Sequence, residues 1–198
     1  MSRVRVMAVT GLALAAVVAA SFAPPDADDS KSQSSPLEMH RTGVSTDDGT
    51  GWYLAESTLG NFTVSLPGPF NDYTIRVEDP NIGLLVTNNV GFKLPDGFQV
   101  MVSKMHGTEK SNVIDLDGML DKLKQGPMGK DIAASQKTMI DGLPALDVTV
   151  KGPERSAHIL YLAEGKTLYS VSVECPIAMT ATCGEVSDKM RATFQRKS

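Results

Sequence analysis

The sequence predicts an α+β fold in which an antiparallel β-sheet of about six to seven strands packs with two or three helices. Three observations support this prediction. Apolar residues alternate with polar ones in most segments between residues 52 and 174, as in strands with one buried face. Turns containing Gly or Pro separate these segments, so neighbouring strands are expected to form hairpins. Two further segments repeat their apolar residues every three or four positions, as amphipathic helices do.

The first element, residues 1–23, has the organisation of a secretory signal peptide. Arg3 and Arg5 precede an uncharged segment, Val6 to Ala23, which is mostly Ala, Val and Leu and has small residues at its last and third-last positions. We therefore expect cleavage and a secreted or periplasmic protein. The alternative is an uncleaved anchor through residues 6–23, because about 18 uncharged residues approach the ~20 that span a bilayer.

Residues 24–51 are predicted to be a disordered leader. Leu37, Met39 and Val44 are its sizeable apolar residues, too few to offset the entropy lost on ordering. Residues 52–198 are long enough to bury one core and are predicted to form a single α+β domain.

Within this domain, alternation predicts strands at 61–66, 73–77, 84–90 and 98–105, with 52–56 as a candidate partner strand. The turns Asp141-Gly142 and Glu164-Gly165-Lys166 then separate three consecutive antiparallel strands between residues 135 and 174.

Two helices complete the prediction. From Asp115 onward the apolar residues fall at helical spacing, in a segment that Gly126-Pro127 ends; these residues are Leu116, Met119, Leu120 and Leu123. The last helix is predicted from about residue 182 to 196, with Val186, Met190 and Phe194 on one stripe.

Charge and cysteine content limit the function classes. The chain has 19 basic and 23 acidic residues, and loss of Arg3 and Arg5 with the signal peptide leaves 17 against 23, near −6. This balance argues against nucleic acid as a partner, and against a membrane unless the N-terminal segment is uncleaved. In an exported chain, Cys175 and Cys183 are predicted to form a disulfide between the last strand and the last helix, because a redox pair would favour C-x-x-C spacing.

Several segments of the domain resemble those of the PsbP-like α/β/α sandwich superfamily. They are NFTVSLPGPF (61–70), MIDGLPALDVTVKG (139–152), RSAHILYLAEGKTLYSVSVECP (155–176) and the closing helix with Phe194. That superfamily includes extrinsic subunits of photosystem II and many small exported bacterial proteins of unassigned role. The resemblance implies a noncatalytic scaffold, assembly or binding module, and it carries no site residue over to this chain.

The sequence contains no G-x-S-x-G, S-x-x-K with K-T-G, or H-E-x-x-H motif. His40 lies in the leader, and we interpret His158 as a structural residue of a strand. His106, together with Met101 and Met105, is a weak candidate for a copper site, but the two methionines would equally suit a core strand. No cofactor is expected.

Two further groups of loop residues each have a functional and a structural interpretation. The fragment Asp115, Asp117 and Gly118 lacks the further ligands of a calcium loop and is interpreted as helix-start acidity. The apolar loops Pro67 to Phe70 and Phe92 to Phe98 would form either a partner-binding patch or inward-packed loops.

The resulting hypothesis is an exported, noncatalytic binding or assembly module at the cell envelope, whose partner is an unknown protein or small ligand. The alternative is an exported hydrolase whose site, built from loop carboxylates and His106, is not visible as a linear motif.

Overall fold

Antiparallel strands form most of the structure, a computed structural model that describes residues 37–42, 46–79, 83–107 and 113–197. The strands in the middle of the large sheet are buried on both faces. Twelve strands occur in these ranges: β1 Leu37–Thr42, β2 Thr46–Asp47, β3 Tyr53–Glu56, β4 Phe62–Leu66, β5 Asn71–Asp79, β6 Gly83–Lys93, β7 Gln99–His106, β8 Ile132–Ile140, β9 Leu143–Lys151, β10 Arg155–Glu164, β11 Thr167–Pro176 and β12 Gln195–Arg196. The two α-helices are α1 Leu116–Gln125 and α2 Thr180–Thr193, and short 3-10 turns occupy Gly129–Asp131 and Ile177–Met179.

The strands form two antiparallel sheets. The large sheet has the order β1-β5-β6-β7-β11-β10-β9-β8, and the small sheet has the order β12-β4-β3-β2. This confirms the α+β class with a mostly antiparallel sheet, but the predicted number of strands, six to seven, is too low. The additional strands include β1, β2 and β12, which are held by pairing along edges rather than by a long apolar stripe.

The two faces of the large sheet carry different layers. One face packs against the small sheet and α2, with Val100, Val102 and Val171 fully buried between them. The other face packs against α1, where Leu120, Leu146 and Tyr161 are buried. Side chains of β6, β7, β11 and β10, which are neighbours in the sheet, therefore point alternately into two cores. A cavity lies beside each core.

The expectation of a disordered leader is wrong for part of residues 24–51. Leu37–Thr42 is a strand that pairs with β5, and Thr46–Asp47 pairs with β3. Leu37 and Met39 remain exposed, so backbone pairing and side-chain contacts place this strand; Glu38 lies 2.5 Å from Arg76. Apolar composition indicates buried side chains, and this strand is held mainly by backbone pairing, so the composition of residues 24–51 did not predict it. The predicted signal peptide, residues 1–23, and the leader up to residue 36 lie outside the described residues.

Local signals placed the turns and the start of α1 correctly. Asp141 and Gly142 both have positive φ values, 50° and 76°, as a type I′ hairpin turn requires. Asp115 is the N-cap of α1, and its carboxylate accepts a hydrogen bond from the backbone N–H of Asp117 at 3.0 Å. This contact agrees with the interpretation of that acidic fragment as a helix start.

The last helix ends earlier than predicted, at Thr193. Phe194 leaves the helix with extended dihedral angles, and the next two residues pair with β4 as β12. The Phe194 ring lies 5.9 Å from that of Phe62 and 5.8 Å from that of Tyr169. The apolar residue four positions after Met190 is thus half-buried against the core, and it reaches this position because the chain turns to bring β12 to the small sheet.

A cysteine pair and an ion pair are among the contacts between α2 and the large sheet. Cys175 of β11 and Cys183 of α2 are fully buried and lie at disulfide distance, with their Cα atoms 6.1 Å apart. Further along α2, the Arg191 guanidinium donates to both carboxylate oxygens of Asp147 at 2.5 and 2.9 Å. The cysteine pair therefore lies between the strand and the helix that the sequence predicts. In the described part of the chain, both helices are too short to cross a bilayer.

Candidate functional site

The first cavity, here called the α1 cavity, lies between α1 and strands β9 to β11 and has a volume of about 310 Å³. Its walls are mostly apolar. The residues that form them include Met119, Leu123, Met128, Val150, Ala157, Ile159 and Tyr161, and the turn Gly152-Pro153-Glu154 closes one side.

Element lengths explain why this space is open. The ten residues of α1 extend about 15 Å, whereas the ten residues of β10 extend about 33 Å, so the helix cannot cover the whole sheet face. Where α1 ends, the chain turns back to the edge strand β8, and the facing position on β10 is the small residue Ala157. The uncovered part of the apolar face remains as the cavity.

A phenol is the main polar group deep in the α1 cavity. Tyr161 is 4% exposed, and burial raises the pKa of its hydroxyl to about 12. The group is therefore neutral at physiological pH, and no described residue accepts a hydrogen bond from it. Its oxygen is not completely enclosed by protein atoms, so it can form a hydrogen bond with water or with a polar atom of a ligand.

Charged residues border the mouth of the cavity. Arg155 of β10 and Glu174 of β11 form an ion pair, and Arg155 also donates to the carbonyl oxygen of Gly97. Both side chains keep more than a third of their surface exposed. Asp131, Glu154 and Ser156 also line the cavity. A mostly apolar interior with a few polar groups suits a small ligand that is mostly apolar.

The second cavity, here called the polar cleft, has a volume of about 550 Å³ and lies on the opposite face of the large sheet. It forms where three rows of neighbouring side chains across the sheet change from apolar to polar. The inner row is Val90, Val102 and Val171; the next is Asn88, Lys104 and Tyr169; the outer row is Val86, His106, Thr167 and Glu164. Arg196 and Lys197 complete the lining from the end of β12.

Hydrogen bonds organise the outer row of the polar cleft. His106 Nδ1 lies 2.9 Å from the Thr167 hydroxyl oxygen. The Tyr169 hydroxyl donates to Glu164 at 3.4 Å, and Arg196 donates to the same carboxylate at 2.7 Å. Burial and the negative charge of Glu164 raise the pKa of Tyr169, so this phenol is a neutral donor.

The three weak copper candidates do not come together. Met101 and Met105 are buried on the face of the large sheet that packs against α1, and the Tyr73 hydroxyl donates to the Met101 sulfur at 3.6 Å. His106 is exposed on the opposite face, because consecutive strand residues point to opposite sides. The methionines thus occupy core positions, as the alternation suggested. Among the described residues, no group of three His, Cys, Asp or Glu could hold a metal ion.

The other candidate residues have structural surroundings. His158 lies on β10 beside Arg191 and Asp147, and burial, assisted by the Arg191 charge, lowers the pKa of its imidazole. His40 hydrogen bonds to Thr74 at 2.7 Å. The apolar loops pack inward, since Phe70 and Phe98 are buried, although Leu94 remains exposed.

No protein-family profile and no curated protein matches this chain. Among solved structures, it is similar to cyanobacterial PsbP (CyanoP) from Synechocystis sp. PCC 6803, with 10% sequence identity and a TM-score of 0.44 over 86% of this chain and 98% of that chain. It is also similar to LpqN, described as involved in cell envelope biogenesis of Mycobacterium tuberculosis, with 13% identity and a TM-score of 0.35 over 82% and 83%.

Proposed function

We propose that this protein is an exported, noncatalytic binding module of the cell envelope that holds a small, mostly apolar ligand in the α1 cavity. The observation that carries the proposal is the cavity itself, an apolar space of about 310 Å³ between α1 and the large sheet. Ligand pockets in proteins range from about 300 to 1,000 Å³, so this one is at the lower end of that range.

The size and lining of the α1 cavity define the ligand class. At the ~30 Å³ that a water molecule occupies in the liquid, about 310 Å³ holds on the order of ten non-hydrogen atoms. An alkyl chain of about that length would contact the side chains of Met119, Leu123 and Met128, while its polar end would reach Tyr161 or the Arg155–Glu174 pair. Methionine side chains adapt to ligands of irregular shape, which favours a flexible chain over a rigid ring.

Decanoic acid tests this function, with binding measured by isothermal titration calorimetry on the purified domain. We expect the Ala157→Phe variant to bind at least tenfold more weakly than the native protein, because the added ring fills the cavity. Ala134→Phe, on the exposed edge strand β8, adds the same ring away from the cavity and should bind like the native protein.

A second variant that fills the α1 cavity distinguishes loss of the cavity from a folding defect of Ala157→Phe. Leu123→Trp fills the cavity from α1 rather than from the sheet, and its folding is checked by thermal unfolding. The proposal would be overturned if the native protein binds no decanoic acid at millimolar concentration. It would also be overturned if both filling variants bind like the native protein.

A hydrolase in the polar cleft is the second candidate function, favoured by the His106–Thr167 hydrogen bond. Its 2.9 Å length fits a base beside a hydroxyl nucleophile. However, a base of this kind is normally oriented by a third group, and no described carboxylate contacts the other ring nitrogen of His106. Glu164 lies in the same cleft but is bound to Arg196 and Tyr169.

We expect no hydrolysis of p-nitrophenyl acetate above the rate of a lysine- and histidine-matched peptide mixture, and no change in the His106→Ala variant. The reason is the missing third group, without which His106 is not held in one orientation or tautomer. Saturable turnover by the native protein that His106→Ala abolishes would instead establish the hydrolase.

A further inference from the structure

We propose that the polar cleft is a separate binding site for a phosphate group carried by a small molecule. The cleft and the α1 cavity lie on opposite faces of the large sheet, so the two sites are independent. The proposal rests on the charges, donors and size of the cleft, taken in turn below.

Lys104 is the first reason. It lies on the central strand β7 and faces the small sheet, in line with the fully buried Val100 and Val102. Its side chain is half-buried, and no described carboxylate pairs with its ammonium group. Its ammonium lies 5.8 Å from the centre of the Tyr169 ring, and its charge is left for a ligand.

Arg196 and Lys197 add positive charge from the other side of the polar cleft. The pairing of β12 with β4 holds both residues over the ends of the central strands. Arg196 uses part of its guanidinium on Glu164, and Lys197 lies 2.7 Å from Glu56 at the rim. Three cations thus face two carboxylates, and Lys104 is the one that pairs with no described carboxylate. A guanidinium with ammonium groups is a combination that binds phosphate oxygens.

Neutral donors complete the site. The Asn88 amide oxygen accepts a hydrogen bond from Thr74 at 2.8 Å, which leaves its NH₂ group to donate. The hydroxyl of Thr167 and the imidazole of His106 lie beside it in the lining. A tetrahedral anion can therefore accept hydrogen bonds from several directions at once, which a single surface lysine would not offer.

Size and overall charge exclude a large polyanion. The chain has a net charge of −4, which disfavours binding of a nucleic acid. The volume of about 550 Å³ is larger than inorganic phosphate needs and fits a phosphate ester with a small organic part. The phosphate could be free, part of a soluble ester or part of a lipid headgroup, and these sources are distinguished by experiment.

The experiment measures binding of three probes by the native protein: inorganic phosphate, glycerol 3-phosphate, and vesicles of phosphatidylglycerol. We expect Lys104→Gln to weaken binding of the preferred probe at least tenfold, because a charge-assisted contact is lost. Lys93→Gln, which makes the same change at an exposed position of β6, should bind like the native protein. Lys104→Arg should restore most of the affinity, and added salt should reduce it.

Each outcome decides the proposal. One of the three probes should bind most tightly. If Lys104→Gln loses that binding, the result supports the site, and the probe identifies the source of the phosphate. Binding of none of the three probes at millimolar concentration overturns it. Equal binding of the preferred probe by Lys104→Gln and Lys93→Gln also overturns it, because the position of the lysine in the cleft would then make no difference. Decanoic acid binding by Lys104→Gln should be unchanged, so failure here is distinct from failure of the α1 cavity.

Discussion

Replacing Phe62 with alanine should lower the free energy of unfolding by about 3 to 5 kcal/mol. Phe62 is the first residue of β4 and is fully buried. Its ring packs against Phe194, which in turn packs against Tyr169 of the large sheet. Removing the ring therefore leaves a cavity between the two sheets at the point where β12 joins them.

Urea unfolding monitored by circular dichroism measures this effect. Leu54→Ala, on the neighbouring strand β3, is the control because its side chain is 55% exposed; it should change the stability by no more than about 0.5 kcal/mol. A loss below about 1 kcal/mol for Phe62→Ala would contradict the packing of the small sheet on the large one through this side chain.

Replacing both Cys175 and Cys183 with alanine should lower the free energy of unfolding by roughly 2 to 5 kcal/mol. A bridge between these residues closes a short loop in the unfolded chain, and the chain-entropy model assigns about 2.6 kcal/mol to a loop of about nine residues. The two side chains are also fully buried, so alanine leaves small gaps in the core beside α2.

The same unfolding experiment, repeated on the native protein with and without dithiothreitol, separates the bridge from the packing. Reduction should account for most of the loss seen in the double variant. Counting thiols on the denatured, unreduced protein provides the direct control: none are expected, and two free thiols would refute the disulfide.

Strands with one buried face were predictable because every second residue in them is apolar. β4 and most of β9 follow this pattern, and the Asp141-Gly142 turn has the conformation that its residues favour. β10 and β11 are buried on both faces, and the Glu164-Gly165-Lys166 turn between them marked them in the sequence. The edge strands β1 and β12 were missed because backbone pairing with β5 and β4 holds them, and pairing partners cannot be read from a local pattern. The end of α2 was misplaced for the same reason.

The two cavities were missed for different reasons. The α1 cavity depends on the difference in length between a helix and a strand that are distant in sequence, so no local signal marks it. The polar cleft did leave a signal: on β7, Val100 and Val102 are followed at the same spacing by Lys104 and His106. The net charge of the chain gave no indication of the cleft, because a negative net charge does not exclude a local group of cations.

Export and cleavage of the signal peptide stay predictions, since residues 1–23 lie outside the described part of the chain. The binding functions proposed for the two cavities do not depend on them. They depend on whether the surface beneath α1 and the cleft beside β12 accept ligands of opposite chemistry.

Methyl NMR of protein labelled at its methionine methyl groups tests the central claim most directly, because methionines lie both inside and outside the α1 cavity. On titration with decanoic acid, the methyl signals of Met119 and Met128 should shift together and saturate. Those of Met190, in the core on the other face of the sheet, and Met139, exposed on β8, should stay unchanged. Saturating shifts confined to methionines outside the cavity, or no shift at Met119 and Met128 at millimolar ligand, would contradict the proposed binding function.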